Sequence, residues 1–271
     1  MDLTELRRWK SIRDAVHGDI EFDRDEIDLI NTREFQRLRR IKQLGIAHLV
    51  YPSALHSRFE HVLGFCHLSQ RIIDTLNTFG PGPQISHEER KLIRYLALLH
   101  DIGHLPFGHI LEDERPVLKR KHDGAGRLSH FLYDTAIADH LNKIETEFGL
   151  ISLRDLMVAV LCGTNKAGKG TQRLSARQHL FADIVGNTIC ADLLDYLKRD
   201  TLFTGIQHRY DDRILSSFGI STSHDLYIEL TDDRSLQSGL LSEILHMLRL
   251  RYTLGERVYY HRTIRRQHCP P

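Results

Sequence analysis

Apolar residues recur at intervals of three and four through most of this chain, the period of helices that bury one face. Thr32 stands where a helix cap belongs, and Phe35, Leu38, Ile41 and Lys42 follow at helical spacing. That pattern predicts a helix running through Gln43 and stopping at Gly45. Further helices are predicted at about 60–79, 87–102, 108–114, 125–148, 152–162, 177–200 and 235–266. Proline and glycine punctuate them: PGP at 81–83, Pro106, Pro116, and the glycines from Gly163 to Gly170. Two stretches break the period. Residues 12–23 alternate around His17-Gly18, which predicts a short hairpin, and LYIEL at 226–230 reads as a strand. The prediction is an all-α bundle with a minor β hairpin element.

Polar residues crowd one place where that pattern asks for apolar ones. LALLHDIGHLPFGH closes the helix carrying Leu92, Ile93, Leu96 and Leu99 with an adjacent His100-Asp101 pair, and His104 and His109 follow. A histidine on the apolar face of a helix is ordinarily just a satisfied core residue. An unpaired Asp101 beside buried leucines would instead cost several kcal/mol, and a cation removes that cost. His61 in HSRFEH and Asp192 in NTICADLLDY complete a set of two imidazoles and two carboxylates. Such mixed N/O ligands suit one divalent ion, with Mn, Fe, Ni, Zn and Mg all compatible. An ion of that kind acidifies bound water and clamps phosphoryl oxygens, the needs of phosphoester hydrolysis.

Composition narrows the setting. With 271 residues, 41% of them hydrophobic, the chain has enough apolar material for a large core. A net charge of +1 gives no overall pull toward nucleic acid or membrane. Cys66, Cys162, Cys190 and Cys269 are spread apart without a CxxC pair, which fits free thiols in a reducing compartment. The N-terminus lacks an apolar signal core, and the apolar run from Leu156 to Cys162 is too short for a bilayer. The expectation is a soluble, cytoplasmic protein.

Two tempting signals carry less. GTNKAGKG at 163–170 nearly matches a phosphate-binding loop, but Gly170 replaces the required Ser or Thr and a helix, not a strand, precedes it. It reads as a polar surface loop. Basic runs at Arg37, Arg39, Arg40 and Lys42, and at Arg115, Lys119, Arg120, Lys121 and His122, raise nucleic acid as a partner. The second run has no interleaved aromatic, so that partner is not favoured. Near the C-terminus Arg251, Gly255, Tyr259 and Arg262 share one helical stripe, either exposed or lining an anionic pocket.

Taken together, IRDAVHGDIE, FQRLRRIKQLG, VYPSALHSRFEHVLG, LLHDIGHLPFGH, DLLDYLKRD and RYTLGERVYYHR resemble the HD-domain phosphohydrolases. Within them the chain is similar to the deoxynucleoside triphosphate triphosphohydrolases. The resemblance implies one HD domain over 1–271, with a hairpin segment at about 1–30, a central metal, and a C-terminal helix at about 235–268 closing the substrate pocket. It implies His61, His100, Asp101 and Asp192 as metal ligands, and His104, His109 and Glu112 as catalytic residues. Gln43, Leu44, Arg58, His122, Tyr196, Asp200, Arg251 and Tyr259 are the implied substrate contacts, and Asn31 and Arg39 an implied regulatory nucleotide site. The implied reaction is attack of metal-activated water at the α-phosphorus of a deoxynucleotide, releasing deoxynucleoside and inorganic triphosphate. Homo-oligomers are common in the family. A phosphodiesterase or exonuclease acting on single-stranded nucleic acid is the alternative, and a non-catalytic nucleotide sensor the third reading.

The chain departs from the family pattern at Leu193, where some relatives carry a phosphate-gripping lysine. It departs again at Gly255, in place of a pocket histidine, and at Asn31, in place of an acidic residue.

Overall fold

The computed structural model describes residues 10–80, 82–107, 124–148, 153–163, 174–232 and 235–262. The described residues open with the expected hairpin, β1 (Lys10–Asp14) antiparallel to β2 (Gly18–Phe22), in register Lys10↔Phe22. Gly18 turns it at φ 76°, a left-handed conformation that glycine adopts without strain. Helix α1 (Arg24–Ile30) starts from a capping box in which Asp23 and Glu26 satisfy each other's backbone N–H groups. Those two carboxylates also tie α1 to the interior. Asp23 meets Lys91 at 2.5 Å, and Glu26 meets Arg94 at 2.5 Å.

Thr32 does cap a helix, but not the long one expected. Helix α2 covers only Arg33–Gln36, tightens into a 3-10 turn over Arg37–Arg40, and ends where Ile41 turns extended at φ −107°, ψ 110°. The backbone of Lys42 and Gln43 is then taken by tertiary partners. Lys42 bridges to Ser57, and Gln43 N–H donates to the His56 carbonyl at 3.0 Å. Local periodicity is overridden by that pairing.

The centre of the bundle is α3 (Arg58–Thr78), packed between α4 (His87–Leu99) and α9 (Ala191–Thr204). Phe59, Phe65, Ile72 and Ile73 of α3 are at most 2% exposed, each stabilising by about 1.5–3 kcal/mol. Leu92, Ile93, Leu96 and Leu99 of α4 are buried as their spacing predicts. Helix α4 stops earlier than the predicted residue 102. His100 is its cap, and short turns from Ile102 N–H to Leu99 and from His104 N–H to Asp101 follow.

The outer helices are α5 (Ala125–Tyr133), α6 (Ala136–Phe148), α7 (Leu153–Gly163) and α8 (Ala176–Gly186). Two predicted long helices are therefore each split. The segment 125–148 breaks at Asp134-Thr135, where the Thr135 hydroxyl turns back to the Phe131 carbonyl. The segment 177–200 breaks at Asn187, extended at ψ −178°, whose side chain accepts from Thr188 N–H. Asn side chains offer the backbone such local partners and so interrupt helices.

Strand β3 (Phe218–Ile220) pairs with β4 (Leu226–Ile228), as the LYIEL reading expects, and β5 (Thr231–Asp232) with β6 (Ser235–Leu236). Helix α10 (Ser238–Leu254) passes into a π-turn over Gly255–Tyr259, shorter than the helix expected at 235–266. No described helix is long and apolar enough to cross a membrane. Cys66, Cys162 and Cys190 are free thiols, and burial pushes Cys66 up to about 12. The loop 164–170 and the basic run 115–122 lie outside the described residues.

Candidate metal centre and adjoining cleft

Three helix ends converge beneath the core. His61 comes from the first turns of α3, His100 and Asp101 from the end of α4, and Asp192 from the first turn of α9. Ligand atoms of His61, His100 and Asp101 all lie within 4.8 Å of one another. Asp192 Oδ1 stands 3.0 Å from His61 Nε2, and Asp101 Oδ1 3.3 Å from His100 Nε2. Both rings are oriented from behind. His61 Nδ1 donates to Asp195 Oδ2 at 2.7 Å, and His100 Nδ1 donates to the Ala97 carbonyl at 2.7 Å. That leaves each Nε2 facing the cluster, the arrangement metal-binding histidines need.

The electrostatics fit a cation. Burial disfavours charge on His61, yet the Asp192 and Asp195 carboxylates outweigh it and push the ring up to about 10. The carboxylates around His61 thus favour positive charge at this point of the pocket, which a divalent ion would supply. Burial also lowers His100, keeping it a neutral ligand. Asp101 is buried, but Arg58 and the neighbouring histidines hold its carboxyl well below the usual range. The donor set therefore fits the divalent ion expected from sequence.

Other expected residues gather around this cluster. Arg58 Nη1 donates to Asp101 Oδ2 at 2.5 Å, leaving Asp101 Oδ1 toward the histidines. His104 Nε2 approaches that Oδ1 at 3.3 Å. Arg37, read only as part of a basic run, is an internal clamp. Its Nη atoms donate to the carbonyls of Ile102 and His104, each at 2.5 Å, and its guanidinium lies over Phe131. His109, Glu112 and His122 lie outside the described residues.

Along α9 the residues Asp192, Tyr196 and Asp200 recur every four positions, one stripe of the helix. Asp200 is 2% exposed and accepts from Tyr259 at 2.6 Å and from His56 Nε2 at 2.8 Å. Burial and Asp200 raise the Tyr259 phenol well above its ordinary value, so it stays a donor. Tyr196 and Tyr259 meet edge to face, and with Arg251, Tyr252, Gly255 and Glu256 they line a cleft of about 660 Å³. Arg251, Gly255 and Tyr259 all line this cleft, together with residues off their predicted stripe. Gln43 and Leu44 are half-buried, Leu44 against the core.

Leu193, beside Asp192, is buried in the core and offers a ligand nothing. Lys198 is held by Asp212. Asn31 is the exposed C-terminal cap of α1, and Arg39 lies over the Phe59 ring at 3.6 Å with its Nε on Gln36.

Sequence reasoning missed His56, Asp195, Arg199, Asp14 and His17. Asp195 and Arg199 stand four apart in DLLDYLKRD, a spacing that joins opposite charges on a helix. Nothing in the sequence signals that Arg199 reaches Asp14, 185 positions away.

Comparison with known proteins bears on the family of the chain. The HD domain family matches residues 58–199. A Dictyostelium discoideum protein named deoxynucleoside triphosphate triphosphohydrolase SAMHD1 homolog is 30% identical over 265 residues, 96% of this chain and 48% of that one. An uncharacterized protein of Methanocaldococcus jannaschii is 33% identical over 264 residues, covering 94% of this chain and 47% of its own. The chain spans about half the length of the curated relatives it matches. A crystal structure of a hypothetical protein from Aquifex aeolicus superposes with a TM-score of 0.74 at 28% identity, covering 95% of this chain and 61% of that one. On these matches, the chain belongs to the HD-domain family.

Proposed function

We propose that the chain hydrolyses deoxynucleoside triphosphates to deoxynucleoside and inorganic triphosphate, with a single divalent ion. The observation that carries this reading is the α9 stripe. Asp192 at the ligand cluster, Tyr196 lining the cleft, and Asp200 behind it on the Tyr259 hydroxyl are spread over eight residues, about 12 Å at the helical rise, a span suited to a nucleotide. The activity named for the Dictyostelium relative supports it.

His61, His100, Asp101 and Asp192 would hold the ion. When bound, a divalent cation supplies Lewis acidity that activates water and neutralises phosphoryl charge. The chain's own residues do the remainder. Arg58, steadied by Asp101, would meet the α-phosphate with His104, and His122 is assigned to the same phosphates. The leaving 5′-oxygen needs a proton, and His109 is assigned to supply it as general acid, with Glu112 as its acidic partner. Asp200 and Tyr259 fix the deoxyribose hydroxyl, with Gln43 and Leu44 along the sugar. Tyr196 packs against the ring, and Arg251 reaches toward the base. The small Gly255 leaves that end of the cleft wide. Asn31 and Arg39 form a separate regulatory nucleotide site, and the active form is a homo-oligomer.

Ion-exchange analysis of products tests the reading. Protein loaded in turn with Mn²⁺, Fe²⁺, Ni²⁺, Zn²⁺ or Mg²⁺ is incubated with dNTPs, NTPs and labelled oligonucleotides. Inorganic triphosphate from dNTPs is expected. Release of single phosphates, or shortened strands without triphosphate, rejects it.

A further inference from the structure

Behind His61 lies a charged cluster centred on two fully buried side chains. Asp195 and Arg199 are each 0% exposed. Every acceptor direction of the Asp195 carboxylate is used. Oδ2 takes His61 Nδ1 at 2.7 Å and Arg199 Nε at 2.9 Å, while Oδ1 takes His17 Nε2 at 2.7 Å and Arg199 Nη2 at 2.9 Å. Arg199 is fixed from its far side by Asp14, at 2.8 Å and 3.2 Å. Asp14 and His17 belong to the hairpin, so the N-terminal strands reach His61 through two ion pairs.

The backbone makes room for this cluster. A Cβ at Gly64 of α3 would stand 2.0 Å from Asp195 Oδ1 and 2.3 Å from Arg199 Nη2. Any other residue there would push the carboxylate off His61. A buried ion pair serving stability alone has no need to end on an imidazole whose other nitrogen faces the ligand cluster.

We propose that Asp195, held by Arg199 and Asp14 against Gly64, is the positioning residue that fixes the His61 ring and so sets the site's affinity for its divalent ion. This rests on the reading of His61, His100, Asp101 and Asp192 as the ion's ligands. Hydrogen-bonded carboxylates behind metal-binding imidazoles fix the tautomer and ring orientation. Asparagine at 195 places two N–H donors where two donors already point, so an Arg199 contact is lost and the histidine facing the amide must turn its nitrogen to an acceptor.

Mn²⁺ binding to the full chain, by calorimetry and by the Mn²⁺–nitrogen couplings in pulsed EPR, tests this with circular dichroism as the check on folding. Asp195→Asn is expected to weaken Mn²⁺ binding about 10–100-fold and to alter the histidine nitrogen couplings. Asp14→Asn, one contact removed, is expected to weaken it in the same direction by less. Wild-type affinity and couplings in folded Asp195→Asn overturn the proposal. If that variant does not fold, wild-type affinity in folded Asp14→Asn overturns it instead. Failure of the unaltered chain to bind Mn²⁺ rejects the underlying ligand assignment, a separate outcome.

Discussion

His67, on α3, faces the ring of His17 at 5.1 Å. Burial, helped by His17 and Arg71, pushes its pKa down to about 4 from 6.5. The folded protein therefore resists its protonation while the unfolded chain accepts it. Stability tied to His67 is fully present above pH 6.5 and is lost as pH falls from there toward 4. Urea midpoints measured across that window should decline, and His67→Gln should flatten the decline. Equal slopes for both proteins would refute the assignment. Residues that break a local pattern were the legible ones. Asp101 stands out because an apolar run surrounds it, and it is found buried against Arg58. Asp195 was illegible because a carboxylate in DLLDYLKRD looks like one more polar helix position, and only the fold brings His61 and His17 to it.

Among the elements, α4 follows its clean apolar stripe, and the structure adds a capping box of Ser86 and Glu89 ahead of it. Glu89 also accepts from Arg177 of α8, joining two helices at that cap. Ser86→Ala should lower unfolding free energy by about 1 kcal/mol in urea titrations. A change within error would mean that Glu89 and Arg177 hold the end without the serine. Elements were misread where a side chain competes for the backbone. Thr135 and Asn187 divide predicted helices, and the β-like pairing of Lys42 with Ser57 ends α2 early. Periodicity continues through such points, so it carries no warning of them.

For the molecule as a whole, the site joins α3, α4 and α9, the central layers of the bundle, so an ion bound there should stabilise the global fold. Mn²⁺ at a hundred times its dissociation constant should add about 2.7 kcal/mol, read as a rise in thermal midpoint that EDTA reverses. No rise at saturating Mn²⁺ would speak against an ion bridging these helices. The layered helical fold was legible in the chain because helix periods are local. The salt links that fasten it, such as Arg94 to Glu26, span 68 positions and leave no local trace. Arg37 illustrates what such a fastening means for substitution. Its two Nη atoms serve separate carbonyls of the turn after Asp101, so its flat fork acts as a template for backbone shape. Lysine would preserve the charge yet present a single ammonium point, leaving that template half filled.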